Sequence, residues 1–548
     1  MTDLPATPTA PATPAPSATP ATSSSASQPV ATPAPSAASS SAPQPPATQS
    51  SAVHGTLQRS LSNRHIQLIA LGGTLGTGLF LGSAGALQLA GPSMLLGYAI
   101  CGLFAFLILR FLAEMIVDEP VAGAFSYFAH TYWGRFPGFL VGWNCVACYI
   151  LVGMLELSAA GKFMHFWFPE MPTWVTAAVF FVLINVMNLF SVKVFGETEF
   201  WFSMIKVIAV IGMIVLGGYL LFSGKGGEQA SVRNLWQIGG FFPNGAGGLA
   251  MAMTIIVFSF GGLEMLGFTA AEAHDPAHVV PKAVNQVVYR VMIFYIGSTA
   301  VMLCLLPWNT LLAAITSNQD VYKASPFVLI FSMLYERFAA DGLNFVILTA
   351  ALSVYNGMVY CTSRLLFGMA KQGDAPAFLA KVDTRGVPIR AILLPACLTA
   401  SCVLLNFLMP ASVIEMLIAL VTATLIITWG VITITHLRFR AVKLAQAKEA
   451  ALQALVCPAQ PMASSAAAEG LAMSPIKLHG KPFRAPWQPW SNYLCLAFMA
   501  GIIVAMLQRP SMSGPALAIP IWLVVLYAFY LIWGQPREHE ETVASKGN

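Results

Sequence analysis

Residues 66–87 read IQLIALGGTLGTGLFLGSAGAL, an apolar run about one membrane crossing long that holds Gly72, Gly73, Gly76, Gly78 and Gly82. Glycine costs about 1 kcal/mol per position in a helix interior, so this density predicts a break in the helix rather than a smooth rod. At Gly76-Thr77-Gly78 an unwound segment exposes backbone N–H groups at the start of a half-helix, a place suited to a carboxylate. Close packing through small residues is the other reading of one such run. Residues 255–273, IIVFSFGGLEMLGFTAAEA, decide between them, because a second apolar run is interrupted by Gly261 and Gly262 and carries Glu264. The two interrupted runs are the first and sixth along the chain. That spacing predicts an inverted repeat of five helices plus five, with a transport site near mid-membrane where the paired interruptions meet.

Outward from these two runs, stretches long enough to cross a hydrocarbon core of about 20 residues recur at approximately 66–90, 94–116, 137–166, 173–192, 199–222, 246–271, 284–306, 341–370, 389–408, 412–435, 490–507 and 517–534. They are numbered here as spans 1 to 12, and the 325–340 stretch reads as a short partial helix before span 8. Backbone groups in lipid must be satisfied within the span, so the spans are helices and the fold class is an all-α membrane protein with two helices outside the repeat. Composition agrees: 57% of the 548 residues are apolar and 9% charged, against roughly a quarter charged in a soluble domain, and the mean hydropathy is +0.70. A soluble enzyme is excluded. A net charge of +5 from 28 basic and 23 acidic residues offers no basic face for nucleic acid. The Cys145/Cys148 pair sits in mid-span, where small buried side chains are expected rather than a redox motif. With His130, His165 and His274 scattered at span edges, no metal cluster, cofactor motif or nucleophile-base pair is visible.

Residues 1–56 contain no Lys, Arg or aromatic residue and hold 12 of the 36 prolines, a composition expected to form a disordered tail rather than a core or a targeting signal. The transporter domain is expected over 57–535, with a long Ala- and Gln-rich loop at 441–488 and a short tail at 536–548. Of the 28 basic residues, 21 fall on the side of the termini, six on the opposite side, and Lys206 inside span 5. The positive-inside rule then predicts both termini in the cytoplasm.

Ionisable groups deep in spans are costly and mark function or pairing. Lys206 is the leading candidate, either as a proton carrier or as a fixed ammonium bonded to carbonyls at the span 1 break. Glu264 follows the second break and either carries a proton or caps the half-helix. Glu156 in span 3 reads as an interhelical pairing group. Glu114, Asp118 and Glu119 at the end of span 2 are expected to shape a gate or loop. Tyr149 on span 3, Phe258 and Phe260 at the second break, and Tyr355, Asn356 and Met358 on span 8 lie at depths where a small ligand could sit.

The blocks RHIQLIALGGTLGTGLFLGSA from Arg64, EPVAGAFSYFAHTYWG, PTWVTAAVFFVLINVMNL, VKVFGETEFWFSMIKVIAVI, FSFGGLEMLGFTAAEA and LTAALSVYNGMVYCTSRLLFGMAKQGDAP resemble the amino acid transporter family of the amino acid–polyamine–organocation superfamily, within it the bacterial aromatic amino-acid permeases. The similarity covers roughly 57–440 and 486–535. It implies proton-coupled uptake by alternating access across the cytoplasmic membrane. The substrate carboxylate would meet the backbone at Gly76, Thr77 and Gly78, and its amino group carbonyls near Thr74 and Phe258. The aromatic gate would be Phe258, with Phe260, Gly261, Tyr149 and Met358 lining the pocket, Lys206 in place of a sodium ion and Glu264 linked to proton sensing. Protons, an amino acid and the bilayer are the implied partners. The 1–56 tail, the TSNQDVYK stretch at 316–323 and the 441–485 segment depart from the family pattern. A permease or exchanger for another neutral or a basic amino acid, and an amino-acid sensor without transport, remain the alternatives.

Overall fold

The computed structural model describes residues 75–121, 124–190, 192–267, 276–317, 325–333, 337–409, 412–456, 477–478 and 481–534. The tail, Thr74, the 318–324 stretch and most of the segment after Val456 lie outside them. Each expected span corresponds to helix. Span 1 appears from Thr77–Phe80 and Gly82–Ala90, and a 3-10 turn at Gly91–Ser93 joins it to span 2, Met94–Asp118. Spans 3 to 5 are Arg135–His165, Thr173–Asn188 and Val192–Phe222. Span 4, with 16 residues, rises only about 24 Å.

Span 6 runs as α-helix from Gly245 to Ile256, then tightens to a 3-10 turn at Val257–Phe260 before Gly261 and Gly262. Span 7 is Pro276–Arg290, a π-helical stretch at Val291–Gly297 and Ser298–Leu305. The partial helix expected before span 8 is present at Pro326–Met333, and span 8 is Arg337–Gln372. Span 9 is Ile389–Thr399 followed by Ser401–Leu408, and spans 11 and 12 are Trp490–Gln508 and Pro510–Phe529. Two further helices, Ala124–Tyr132 and Trp308–Thr316, escaped the hydropathy reading because each is only nine residues long. A two-residue antiparallel pairing of Lys477–Leu478 with Lys481–Pro482 is the β-structure among the described residues.

The packing carries the repeat. Span 3 packs on span 8, span 1 on span 6, and span 2 on span 7, while the pair 5 with 8 is matched by 10 with 3 and the pair 3 with 4 by 8 with 9. Exchanging each span for its counterpart five places along the chain regenerates each contact, as a repeat of five plus five helices requires.

One end of the bundle is clasped by charge. Glu114 near the end of span 2 accepts from the Ala485 backbone N–H at 2.6 Å and lies 3.2 Å from Arg440 and 3.3 Å from His436. One turn further on, Lys443 meets Asp118 at 2.7 Å and Glu119 at 2.8 Å. These bonds need span 10 to run on past the membrane, and it does, as one helix to Val456. The expected loop at 441–488 therefore starts helical, because AVKLAQAKEAALQALV consists almost wholly of strong helix formers. At the other end, Trp167 donates to Asp341 and Arg509 to Glu415.

Candidate functional site

The two interrupted helices meet backbone to backbone. Ser259, in the 3-10 turn of span 6, donates its hydroxyl to the Gly78 carbonyl at 2.6 Å. The approach is so close that a Cβ on Gly78 would lie 2.6 Å from the Ser259 Cα, nearer than nonbonded carbons tolerate. Gly76 is the extended residue that opens the half-helix Thr77–Phe80, with no side chain capping it. The N–H groups at such a start have no helical acceptor. Here a carboxylate has come to them: Glu156 of span 3 accepts from the Thr77 hydroxyl at 2.9 Å and from the Thr77 backbone. The pairing expected of Glu156 is thus to the first break. The other carboxylate oxygen, Oε2, has no hydrogen-bond partner among the described residues.

Beyond the second break, Gly262 has φ +89°, a left-handed conformation open to glycine at no steric cost. Its N–H donates to Oε1 of Glu264 at 3.3 Å, so Glu264 caps the restarting turn, one of the two roles expected of it. Gly261 donates to the Phe258 carbonyl at 2.9 Å, which leaves that carbonyl one lone pair for another donor. The two phenylalanines part company. Phe260 is fully buried, its ring stacked 4.8 Å from Tyr295 and edge-on to Tyr98. Tyr295, in the π-helical stretch of span 7, also donates to the Ser259 carbonyl at 2.8 Å.

Lys206 is completely buried and donates to the Ser353 hydroxyl of span 8 at 2.9 Å. Ser353 in turn donates to Glu199 at 2.5 Å, and Asn356 reaches the other Glu199 oxygen at 3.4 Å. Asn188 of span 4 donates to Asn356 at 2.7 Å. A charge so deep needs a paired and hydrogen-bonded setting, and Glu199 supplies the counter-charge. Lys206 is also within electrostatic reach of Glu156, which links this network to the first break.

Of the span 8 candidates, Met358 is buried, while Tyr355 and Asn356 face spans 4 and 5: the Tyr355 hydroxyl accepts from Asn185 at 2.7 Å and Asn356 holds Glu199. Asn356 belongs to the scaffold of the lysine network, while Tyr355 ties span 8 to span 4. Tyr149 is buried on span 3 within electrostatic reach of Glu264. Thr74 lies outside the described residues. The reading of Lys206 as the lone base inside the bundle needs correction, because Arg290 and Arg364, sorted by sequence to the terminal side, are 1% and 7% exposed. Each lies inside its apolar run, 284–306 and 341–370, but toward the terminal-side end, so counting bases by side places both with the loops. Sequence reasoning also missed Glu199 and Ser353. Glu199 had a usable signal, since it precedes Lys206 by seven residues, two turns on the same helical face.

The family model described as amino acid permease matches residues 65–473. The aromatic amino acid transport protein AroP of Shigella flexneri is 54% identical over 87% of this chain and 96% of its own length, and the protein of the same name from Escherichia coli K12 shows the same values. The amino-acid permease AapA of Bacillus subtilis is 37% identical over 87% of the chain and 95% of its own. A bundle of helices interrupted at spans 1 and 6 and likenesses that run nearly end to end lead to one conclusion: the chain belongs to the amino acid permease family, multi-pass membrane transporters rather than enzymes.

Proposed function

We propose that the chain takes up aromatic amino acids in symport with protons, by alternating access of a site at the two helix breaks. The observation that carries the reading is the contact of the breaks at Gly78 and Ser259, with a buried, counter-charged lysine beside it. The substrate carboxylate is assigned to the half-helix start at Gly76, Thr77 and Gly78, where it would compete with Glu156 for the Thr77 donors. Its ammonium is assigned to the free lone pair of the Phe258 carbonyl and to Thr74. Phe258 closes over the side chain, with Tyr149, Gly261 and Met358 around it, while Phe260 holds the break itself in place. Lys206 and Glu264 are assigned to proton coupling. The aromatic preference rests on the name of the 54% identical relatives and on Phe258 and Tyr149, whose rings can stack on an aromatic substrate. Both termini are assigned to the cytoplasmic side of a bacterial inner membrane, from the distribution of Lys and Arg.

The test is counterflow of radiolabelled phenylalanine, tyrosine and tryptophan in proteoliposomes of the full chain, with and without an inwardly directed proton gradient, acid outside, and against a panel of competing amino acids. Uphill accumulation with the gradient, competed by aromatic amino acids, is the expected result. Binding without counterflow would leave a sensor. Accumulation indifferent to the gradient would remove symport.

A further inference from the structure

We infer that Glu199 receives the proton of Lys206 through the hydroxyl of Ser353, and so forms the inner stage of the proton path. The inference rests on the proton-coupled reading above and adds to it an acceptor and a direction. Three features support it.

Glu199, Ser203 and Lys206 line one face of span 5, at spacings of four and three residues, opposite Ser353 and Asn356 on one face of span 8. Ser353 is fully buried and accepts from Lys206 while donating to Glu199. That is the order of bonds a proton transfer needs. The remaining groups fix Glu199 rather than satisfy Lys206: Asn356 holds its second oxygen, Asn188 orients Asn356, and Ser203 lies 3.5 Å from Oε1. Other charged groups within electrostatic reach of Lys206 are Glu156 from span 3 and Arg290 from span 7. Of the two carboxylates, among the described residues only Glu199 is joined to the lysine by a chain of hydrogen bonds.

In the transfer, one Nζ–H bond of the Lys206 ammonium breaks as that proton binds the Ser353 oxygen, and the former Ser353 hydroxyl proton passes to Oε1 of Glu199. The products are a neutral amine, an intact serine hydroxyl and a carboxylic acid. Two unlike charges disappear together, so the step adds no net charge to the bilayer interior. The proton crosses two short bonds, of 2.9 and 2.5 Å, to a residue two helical turns nearer the Val192 end of span 5, the end that lies inside when both termini are cytoplasmic.

The experiment uses the full chain in liposomes with phenylalanine as probe, comparing pH-gradient-driven accumulation with counterflow at equal pH. Glu199→Gln and Ser353→Ala are each expected to lower accumulation about tenfold or more while lowering counterflow by a much smaller factor. Ser353→Thr, which keeps the hydroxyl, is expected to recover most of the accumulation. If Lys206→Ala loses accumulation while Glu199→Gln and Ser353→Ala retain it, the relay is wrong and the coupling role of Lys206 stands. If Lys206→Ala accumulates like the parent, the proton-coupled reading falls and the relay with it. Should Glu199→Gln fail to fold, the Ser353→Ala and Ser353→Thr pair decides: equal loss of both activities without rescue by threonine would reduce Ser353 to a packing role and overturn the inference.

Discussion

The breaks in spans 1 and 6 look alike in sequence and are held in different ways. At the first, the half-helix start is occupied from outside, by a carboxylate 79 residues away on span 3. At the second, the chain satisfies itself: Gly261 turns back to the Phe258 carbonyl, Gly262 to Glu264, and Phe260 is locked between Tyr98 and Tyr295. A break closed by its own residues is a fixed support. A break closed by a distant carboxylate can exchange that carboxylate for another, which is what binding an amino acid there requires. Under the proposed function, the difference assigns the first break the role of substrate port and the second that of platform.

The largest expected effect comes where the two touch. Gly78→Ala places a methyl against the Ser259 backbone rather than against a side chain that could rotate away. Uptake is expected to fall at least tenfold with normal membrane insertion, because a shift of the two breaks costs about 1–3 kcal/mol at the site itself. Near-parental uptake by Gly78→Ala would mean the contact is not part of the transport cycle. Next is Thr77→Val, which keeps the shape and removes a donor from buried Glu156. A loss of about 1–3 kcal/mol in stability is expected from the acceptor left without this bond, seen as a lower melting temperature, with a rise in KM if the port reading holds. Thr77→Ser should restore both. Gly262→Ala tests the platform. Forcing a methyl into the left-handed region costs about 1–2 kcal/mol, so the melting temperature should drop while KM for substrate moves little. A KM change larger than that of Thr77→Val would reverse the assignment of port and platform.

How much of this was legible beforehand depends on the range of the interaction. The spans, both breaks and the burial of Lys206 follow from apolar runs and glycines, signals that act within a turn or a bilayer thickness, and the structure bears them out. Thr77 and Glu156, Ser353 and Glu199, and Tyr295 and Ser259 lie between 36 and 154 residues apart in sequence, so no local pattern announces these pairs. Arg290 shows the reverse error. A base at the edge of an apolar run looks like an interfacial anchor, and only the neighbouring helices reveal that it is covered. The helix that continues past Arg440 to Val456 is also a local signal, because that run consists almost wholly of strong helix formers.

The smallest expected effect ties the two breaks to one helix. Tyr149 and Glu156 are seven residues apart on span 3, hence on one face; Glu156 holds the first break and Tyr149 lies near Glu264 beyond the second. Span 3 therefore bridges port and platform, and the Tyr149 hydroxyl is the group on it best suited to a polar ring edge such as an indole N–H or a phenol. Tyr149→Phe removes one hydrogen bond of about 0.5–1.5 kcal/mol, so uptake of tryptophan and tyrosine should weaken about two- to tenfold relative to phenylalanine, read as the ratio of kcat/KM values. Packing is nearly unchanged by the substitution, which keeps stability out of the comparison. An equal change for all three substrates would place the hydroxyl in the scaffold between the breaks, and substrate choice would then have to come from Phe258 and the residues around it.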